Sequence, residues 1–351
     1  VTVHRVDTVV IGGGAMGAAT AWWLARGGRE VVLLERFERG HTRGSSHGAS
    51  RIFRFAYALP RYVRMAMLAL PLWREVEADT GLSLLETTGG IDHGEGVGVQ
   101  AIAEALDNQG AAYDFLTAGA ATERWPGMHF DGDVLFQPDA GRCNSDATVA
   151  ALLDGAGRHG ADVRFEQGAE SISLVHDDVR VRSIGGDEYR ASVAVVAAGA
   201  WMEKLTGALV PLPPLEVTQQ QVFHFTPVDS DAAWPSFIHH REPYVYGLET
   251  PGEGVKVAEH HAGAAVDPDA RSFEIDAIGA ERVRDYVRTW LPGLAPEPVT
   301  ATTCLYTTTP TQDFHITREG PLVIVSACSG HGFKFTPLIG KMAAELATAK
   351  A

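Results

Sequence analysis

Cysteine is scarce in this chain: three in 351 residues, at Cys143, Cys304 and Cys328. An odd, widely separated set supports neither a disulfide framework nor the paired spacing of a zinc site, so each thiol stands alone. Long apolar runs are also missing, and none reaches the length needed to cross a bilayer. The opening Val1-Thr2-Val3-His4-Arg5 leads almost directly into a strand pattern, with no secretory n-region, apolar stretch and cleavage site. The expected compartment is the cytoplasm. Positive charge is in deficit, 29 Lys and Arg against 44 Asp and Glu, for a net charge of −15. Such a surface repels phosphate backbones and anionic lipid, which sets aside nucleic acid and membrane as partners. An anionic small substrate is not excluded, because a few local cations outweigh a distant net field. No internal repeats or low-complexity segments are found.

What remains is a chain with 45% hydrophobic residues, enough to bury a core and long enough for two lobes. The β-branched run Asp7-Thr8-Val9-Val10-Ile11 reads as a buried parallel strand, and Val31-Val32-Leu33-Leu34-Glu35 as a second. Between them 18–26 is helical and Gly27-Gly28 stops it. Residues 39–50 read as an ordered loop. Helices are expected at 65–80, with a kink or break at Pro71, and at 99–109, 143–159, 273–290 and 337–351. Strands are expected at 87–91, 162–165, 178–183, 194–198, 221–225, 255–258 and 322–326. The α/β elements lie at the start, middle and end, and the antiparallel-looking ones between them. This order predicts an α/β protein with a Rossmann-like nucleotide-binding domain of discontinuous segments, 1–85, 143–212 and 300–351. A second domain with a mainly antiparallel sheet takes 86–142 and 213–299.

Gly12-x-Gly14-x-x-Gly17 sits at the strand-to-helix turn, with Ala15 and Met16 opening the helix. The first glycine makes the turn, the second admits a pyrophosphate, and the third lets helix and strand pack closely. The helix N-terminus presents free N–H groups to phosphate. Glu35 closes the second strand about 20 residues on, where a carboxylate accepts ribose hydroxyls. The motif does not separate FAD from NAD, though the carboxylate argues against NADP.

Four further segments narrow the reading. They are Gly44-Ser45-Ser46-His47-Gly48-Ala49-Ser50-Arg51-Ile52-Phe53-Arg54-Phe55-Ala56-Tyr57, Val196-Ala197-Ala198-Gly199-Ala200-Trp201, Thr303-Cys304-Leu305-Tyr306-Thr307 and Ser329-Gly330-His331-Gly332-Phe333-Lys334-Phe335. In order and over essentially the whole chain they resemble the flavin amine oxidases of the D-amino-acid-oxidase type, the group of monomeric sarcosine oxidase and N-methyltryptophan oxidase.

The resemblance implies FAD, covalently joined through Cys304, where residue type alone suggests only a small buried hydrophobe. Cys143 and Cys328 have no such context and read as core. Beside Gly12, Gly14, Ala15, Met16, Gly17 and Glu35, the implied cofactor contacts are Arg36, Ser45, His47, Arg51, Ala169, Gly199, Trp201, Gly330, Gly332, Phe333 and Lys334. Arg54 and Lys334 would clamp the substrate carboxylate, a fork and a point charge. Arg51 would support negative charge on the reduced cofactor. Lys256 would activate O2, against the alternative of an outward lysine on an edge strand. His260 and Tyr246 match family active-site residues, and Tyr306 and Ile238 line the implied pocket. The adjacent His260 and His261 lack a third ligand at familiar spacing, so no metal is expected.

Ser46, Ala49 and Ser50 depart from the family loop, as does Ala58-Leu59-Pro60 after Tyr57. These changes keep the reaction type and put sarcosine itself in doubt. The implied activity is FAD-dependent oxidation of the C–N bond of a small secondary amino acid (sarcosine or another N-methyl amino acid) with O2, giving an imine, then an aldehyde or oxo acid, and hydrogen peroxide. Alternatives are a cyclic imino-acid (pipecolate- or proline-like) oxidase, an FAD amino-acid dehydrogenase of the same fold, and a flavoprotein without catalysis. A monomer is implied by resemblance only.

Overall fold

The β-branched run expected at 7–11 forms the buried end of a longer strand, Val3–Ile11, in the computed structural model, which describes residues 2–94, 97–176 and 178–349. This strand has parallel neighbours on both sides, Val31–Leu34 and Glu188–Val196. Leu322–Ser326 and Asp162–Arg164 extend the parallel layer outwards. Strands buried on both faces need apolar residues at every position, which is why the sequence shows continuous Val/Ile/Leu runs here. Helices Ala15–Arg26, Ser145–Arg158 and Thr336–Thr348 contribute Trp22, Leu152 and Ile339 to the core on one face. On the other face Val9, Ile11 and Ile324 pack with Val181, Tyr189 and Met202. Ala169–Val175 and Asp178–Ser183 extend this sheet in antiparallel fashion.

The second sheet runs in the order Leu294–Thr308, Glu216–Pro227, Gly254–Glu259, Val245–Thr250, Ser236–His239, Gly90–His93, Val134–Gln137, Asp114–Leu116. It is antiparallel except where Ser236–His239 lies parallel to Gly90–His93. Alternation divides its residues between two faces. Phe223, Phe225, Val255 and Val257 pack on Val283 and Val287 of helix Ala277–Trp290. The alternate residues face a cavity. A third, small sheet joins Arg51–Phe53, Gly141–Cys143 and Leu85–Thr87.

Several expectations are corrected. The helix expected at 65–80 starts at Pro60 and runs unbroken through Pro71 to Thr80. Ala66, Ala69, Trp73 and Val76 are buried on both sides of Pro71, and that packing outweighs the lost hydrogen bond. The strand at 87–91 is two strands separated at Gly89, whose φ is 75°. The helix at 273–290 begins at Ala277, because the Asp276 carboxylate accepts from the N–H groups of Ile278 and Gly279. Ala169–Val175 was not anticipated, nor was the full length of Leu294–Thr308, which spans the boundary expected at 300. Among the described residues no helix is long and apolar enough to cross a membrane.

Candidate active site

A cavity of about 1340 Å³ runs from the Gly12–Gly14 turn and Glu35, past the 44–51 loop, to His260 and Lys334. The first sheet and its loops form one wall. The cavity face of the second sheet forms the other, and register explains which residues it presents. Tyr246 lies opposite Ile238 and Leu248 opposite Lys256; Lys256 lies opposite His224, and Gln220 opposite Cys304. Thr218 lies opposite Tyr306. The pattern of period two thus brings Ile238, Tyr246, Lys256, Cys304 and Tyr306 onto one surface from four strands.

At the turn, Gly12 has φ 103° and a Cβ there would lie 2.5 Å from the Ala197 carbonyl oxygen. A Cβ on Gly17 would lie 1.8 Å from the Gly12 oxygen, so the helix rests directly on the turn. Glu35 is buried and accepts from Gly13 N at 2.6 Å and Phe37 N at 2.9 Å. Burial raises its pKa, but His41 and these N–H groups together hold it below the ordinary value, so it stays ionised. Ser46, one of the loop departures, accepts the Ala15 N–H at 3.0 Å. Arg36 and Trp201 are tied at the rim by Asp269, at 2.7 and 2.8 Å.

The 44–51 loop is laced from inside. Arg51 donates to the carbonyls of Ser45, His47 and Ser50 at 3.0, 2.5 and 2.8 Å. Lys256 donates to Ser50 O at 2.6 Å, and Ser50 Oγ meets Thr250 Oγ1 at the same distance. Lys256 is buried, and burial with the nearby Arg51 lowers its pKa to about 7. Burial and the Arg51 charge also lower His47 to about 4. Cys304 is buried and its thiol pKa is raised by burial, against the pull of Arg51.

At the far end two cations converge on one ring. Arg54 lies 4.7 Å and Lys334 Nζ 5.3 Å from the Tyr57 ring centre. Lys334 donates to Tyr57 Oη at 2.7 Å and to His331 O at 2.8 Å, and burial lowers its pKa well below 10.5. His260 Nδ1 lies 3.3 Å from Tyr306 Oη, and burial keeps its imidazole neutral. Burial pushes the Tyr246 phenol up to about 12. Gly330, at φ 72°, is where the chain passes this pair: a Cβ would lie 2.5 Å from Tyr306 and 2.7 Å from His260.

Every candidate cofactor, substrate and catalytic residue read from the sequence lines the cavity except Gly17, which lies beneath the turn. Cys143 is buried outside the cavity, whereas Cys328, expected in the core, is half-buried and lines it. Sequence reasoning missed Asp92 and His240. The buried Asp92 carboxylate accepts from Arg54 at 2.9 Å and lies 2.7 Å from His240 Nε2. Asp92 falls just past the strand expected at 87–91, in the Gly90–His93 strand with the polar His93, so no local pattern marked it. His224, which lines the cavity beside Lys256 and faces Glu253 at 3.2 Å, was missed as well.

The donor set fits FAD. An ionised carboxylate stands at the end of the second strand, a glycine turn precedes a helix N-terminus, and one elongated cavity joins them to a cluster of buried cations. The buried His47 Nε2 has no hydrogen-bond partner among the described residues.

Comparison with known proteins gives a family match, "FAD dependent oxidoreductase", over residues 7–346. A monomeric sarcosine oxidase of Bacillus sp. (strain NS-129) is 32% identical over 97% of this chain and 92% of its own. An N-methyl-L-tryptophan oxidase of Yersinia pestis is 28% identical over 98% and 95%. Among solved structures, the open form of NikD, an unusual amino acid oxidase essential for nikkomycin biosynthesis, superposes with a TM-score of 0.91 at 27% identity, covering 99% of this chain and 95% of NikD.

Proposed function

The chain belongs to the FAD dependent oxidoreductases, and from that premise we propose that it oxidises the C–N bond of a small secondary amino acid with O2 as the electron acceptor. The observation that carries the substrate class is the meeting of Arg54 and Lys334 around Tyr57 at the end of the cavity. Arg54, together with Lys334 when it is protonated, binds a carboxylate strongly at this buried end of the cavity and fixes its orientation. Asp92 neutralises part of that charge, which leaves a pocket suited to a monoanionic head.

FAD would be held by the Gly12–Gly14 turn, Glu35, the 44–51 loop and Trp201, with Cys304 as its covalent anchor, and it supplies the two-electron oxidation. The protein's residues do the remainder. Arg54 and Lys334 orient the substrate. His260, neutral through burial, and the unionised Tyr246 and Tyr306 line the amine's surroundings without adding charge, so they favour the neutral amine that can be oxidised. Lys256, when protonated, favours negative charge as it develops on O2 in a water-poor site. The imine product hydrolyses to an aldehyde or oxo acid according to which C–H has reacted. Ile238 and the altered loop residues Ser46 and Ala49 line the cavity, and sarcosine itself is not proposed as the natural substrate.

The test is a visible spectrum of purified protein before and after acid precipitation, for wild type and Cys304→Ala. Yellow colour kept in the wild-type pellet and released by the variant supports the covalent assignment. Turnover with O2 compared with a dye under anaerobic conditions then separates oxidase from dehydrogenase. Protein that takes up no added FAD would sink the proposal entirely.

A further inference from the structure

Strand alternation places a second polar cluster on the face of the large sheet turned away from the substrate cavity. His93, at the end of Gly90–His93, and His239, at the end of Ser236–His239, are register partners in the parallel pair. Their rings stack with centres 4.1 Å apart, and both residues are buried, at 1% and 0% exposure. Asp131 joins them from the segment between helix Ala118–Arg124 and strand Val134–Gln137. That segment is pinned to the end of helix Ala277–Trp290: His129 N and Nδ1 each lie 2.8 Å from the carbonyls of Trp290 and Thr289. One nitrogen or oxygen from each of His93, Asp131 and His239 lies within 4.8 Å of the others.

The hydrogen bonding of the two imidazoles is incomplete. Neither ring nitrogen of His93 has a partner among the described residues, and neither does Nε2 of His239. Buried polar atoms are nearly always satisfied, and an imidazole with both nitrogens unsatisfied in an aromatic box is the exception that needs a cause. The box here is Phe130, 5.1 Å from His93, and Trp290, 4.5 Å from His239. His239 Nδ1 does have a partner, the Tyr286 hydroxyl at 2.9 Å. With Nδ1 donating to that oxygen, the Nε2 lone pair is free to bind a metal, the outer-shell arrangement usual for a ligating histidine.

We propose that His93, His239 and Asp131 form a binding site for a divalent transition metal of the zinc type, separate from the flavin site. Two imidazoles and one carboxylate are the donors such ions take, with water in the fourth position. Tetrahedral bonds of ~2.0–2.1 Å set donor atoms roughly 3.3 Å apart, so the cluster closes on an ion by small side-chain movements. The exposed Asp131 gives the ion access from solvent. The ion ties two strands and the Asp131 segment together directly behind the substrate wall, where Asp92, one residue from His93, meets both Arg54 and His240.

The experiment is calorimetric titration of Zn2+ into chelator-treated, flavin-containing protein, with thermal unfolding followed in parallel. Wild type is expected to bind one equivalent and to melt at a higher temperature with Zn2+. His93→Gln and His239→Gln should lose the site. Asp131→Ala, a change at an exposed position that does not threaten folding, should weaken binding by at least about ten-fold. The flavin spectrum should be unmoved, which keeps the outcome independent of the proposed oxidase activity. No stoichiometric binding by wild type, or equal binding by wild type and Asp131→Ala, overturns the proposal.

Discussion

Replacing Lys256 by Met removes a buried cation while nearly filling the space its stem occupies. The ammonium is 4% exposed and is held by a carbonyl, Ser50 O at 2.6 Å, with no carboxylate in the bond. In the unfolded chain it keeps its proton up to about 10.5; in the folded chain, through burial and the Arg51 charge, only up to about 7. Between those values the unfolded state binds more protons, so stability rises with pH through the window, and at or below pH 7 the folded state carries the full cost. The shift of 10.5 − 7 = 3.5 units, at about 1.36 kcal/mol each, sets a ceiling of about 5 kcal/mol. Losing the bond to Ser50 O offsets about 1 kcal/mol of this, since that oxygen also accepts from Arg51 at 2.8 Å. Lys256→Met should therefore be more stable near pH 7 by roughly 2–4 kcal/mol, and should lose the rise in stability toward pH 10. The same change should slow reoxidation by O2 by about 10²–10³-fold while anaerobic oxidation of the amine stays close to wild type. Urea unfolding near pH 7 and near pH 10, and stopped-flow traces of the two half-reactions, read these effects separately. In wild type, the O2 step should weaken as pH rises above about 7, because the cation is lost there. Unaltered O2 reactivity in the variant would refute the electrostatic role, and unaltered stability would refute the buried charge.

Three further outcomes are expected. Arg54→Met should raise KM for the amino acid by about 10²-fold and, by stranding the buried Asp92 carboxylate, lower stability by roughly 3 kcal/mol; steady-state kinetics and chemical unfolding read both. Glu35→Gln should weaken FAD at least about ten-fold by fluorescence titration of apoprotein. The Glu35 pKa is depressed on folding, so its contribution in wild type is complete above about 4.5 and disappears as pH falls through the lower folded value; FAD retention should follow that course. Gly330→Ala should cost about 1–3 kcal/mol, because it combines a left-handed backbone with contacts of 2.5 and 2.7 Å to Tyr306 and His260; a melting temperature equal to wild type would contradict the packing described.

The nucleotide-binding half of the fold was legible because its code is local. A β-branched run, three glycines at fixed offsets, an Ala-rich helix and a second run ending in Glu35 each act over a few residues, and the structure places them as read. The family resemblance identified many of the residues that share the cavity, Cys304, Lys256, Arg54 and Lys334 among them. Less legible were features set by packing. Pro71 reads locally as a break, yet buried Ala69 and Trp73 on either side carry the helix through it. Ala169–Val175 and the full Leu294–Thr308 strand were missed because their exposed and Pro-containing stretches dilute the strand signal.

The sequence by itself determined the dinucleotide turn, the strand-end carboxylate, the flavin class and many of the cavity residues, because each depends on short-range spacing or on motifs that persist in order along the chain. The tertiary structure decided what those residues meet. Asp92 joins Arg54 and His240 from segments 38 and 148 residues away, and His93 lies against His239 only because their strands pair in parallel register. Burial within that assembly, and not residue type, lowers Lys256 and Lys334 and keeps His260 neutral, since desolvation is a property of the surrounding fold.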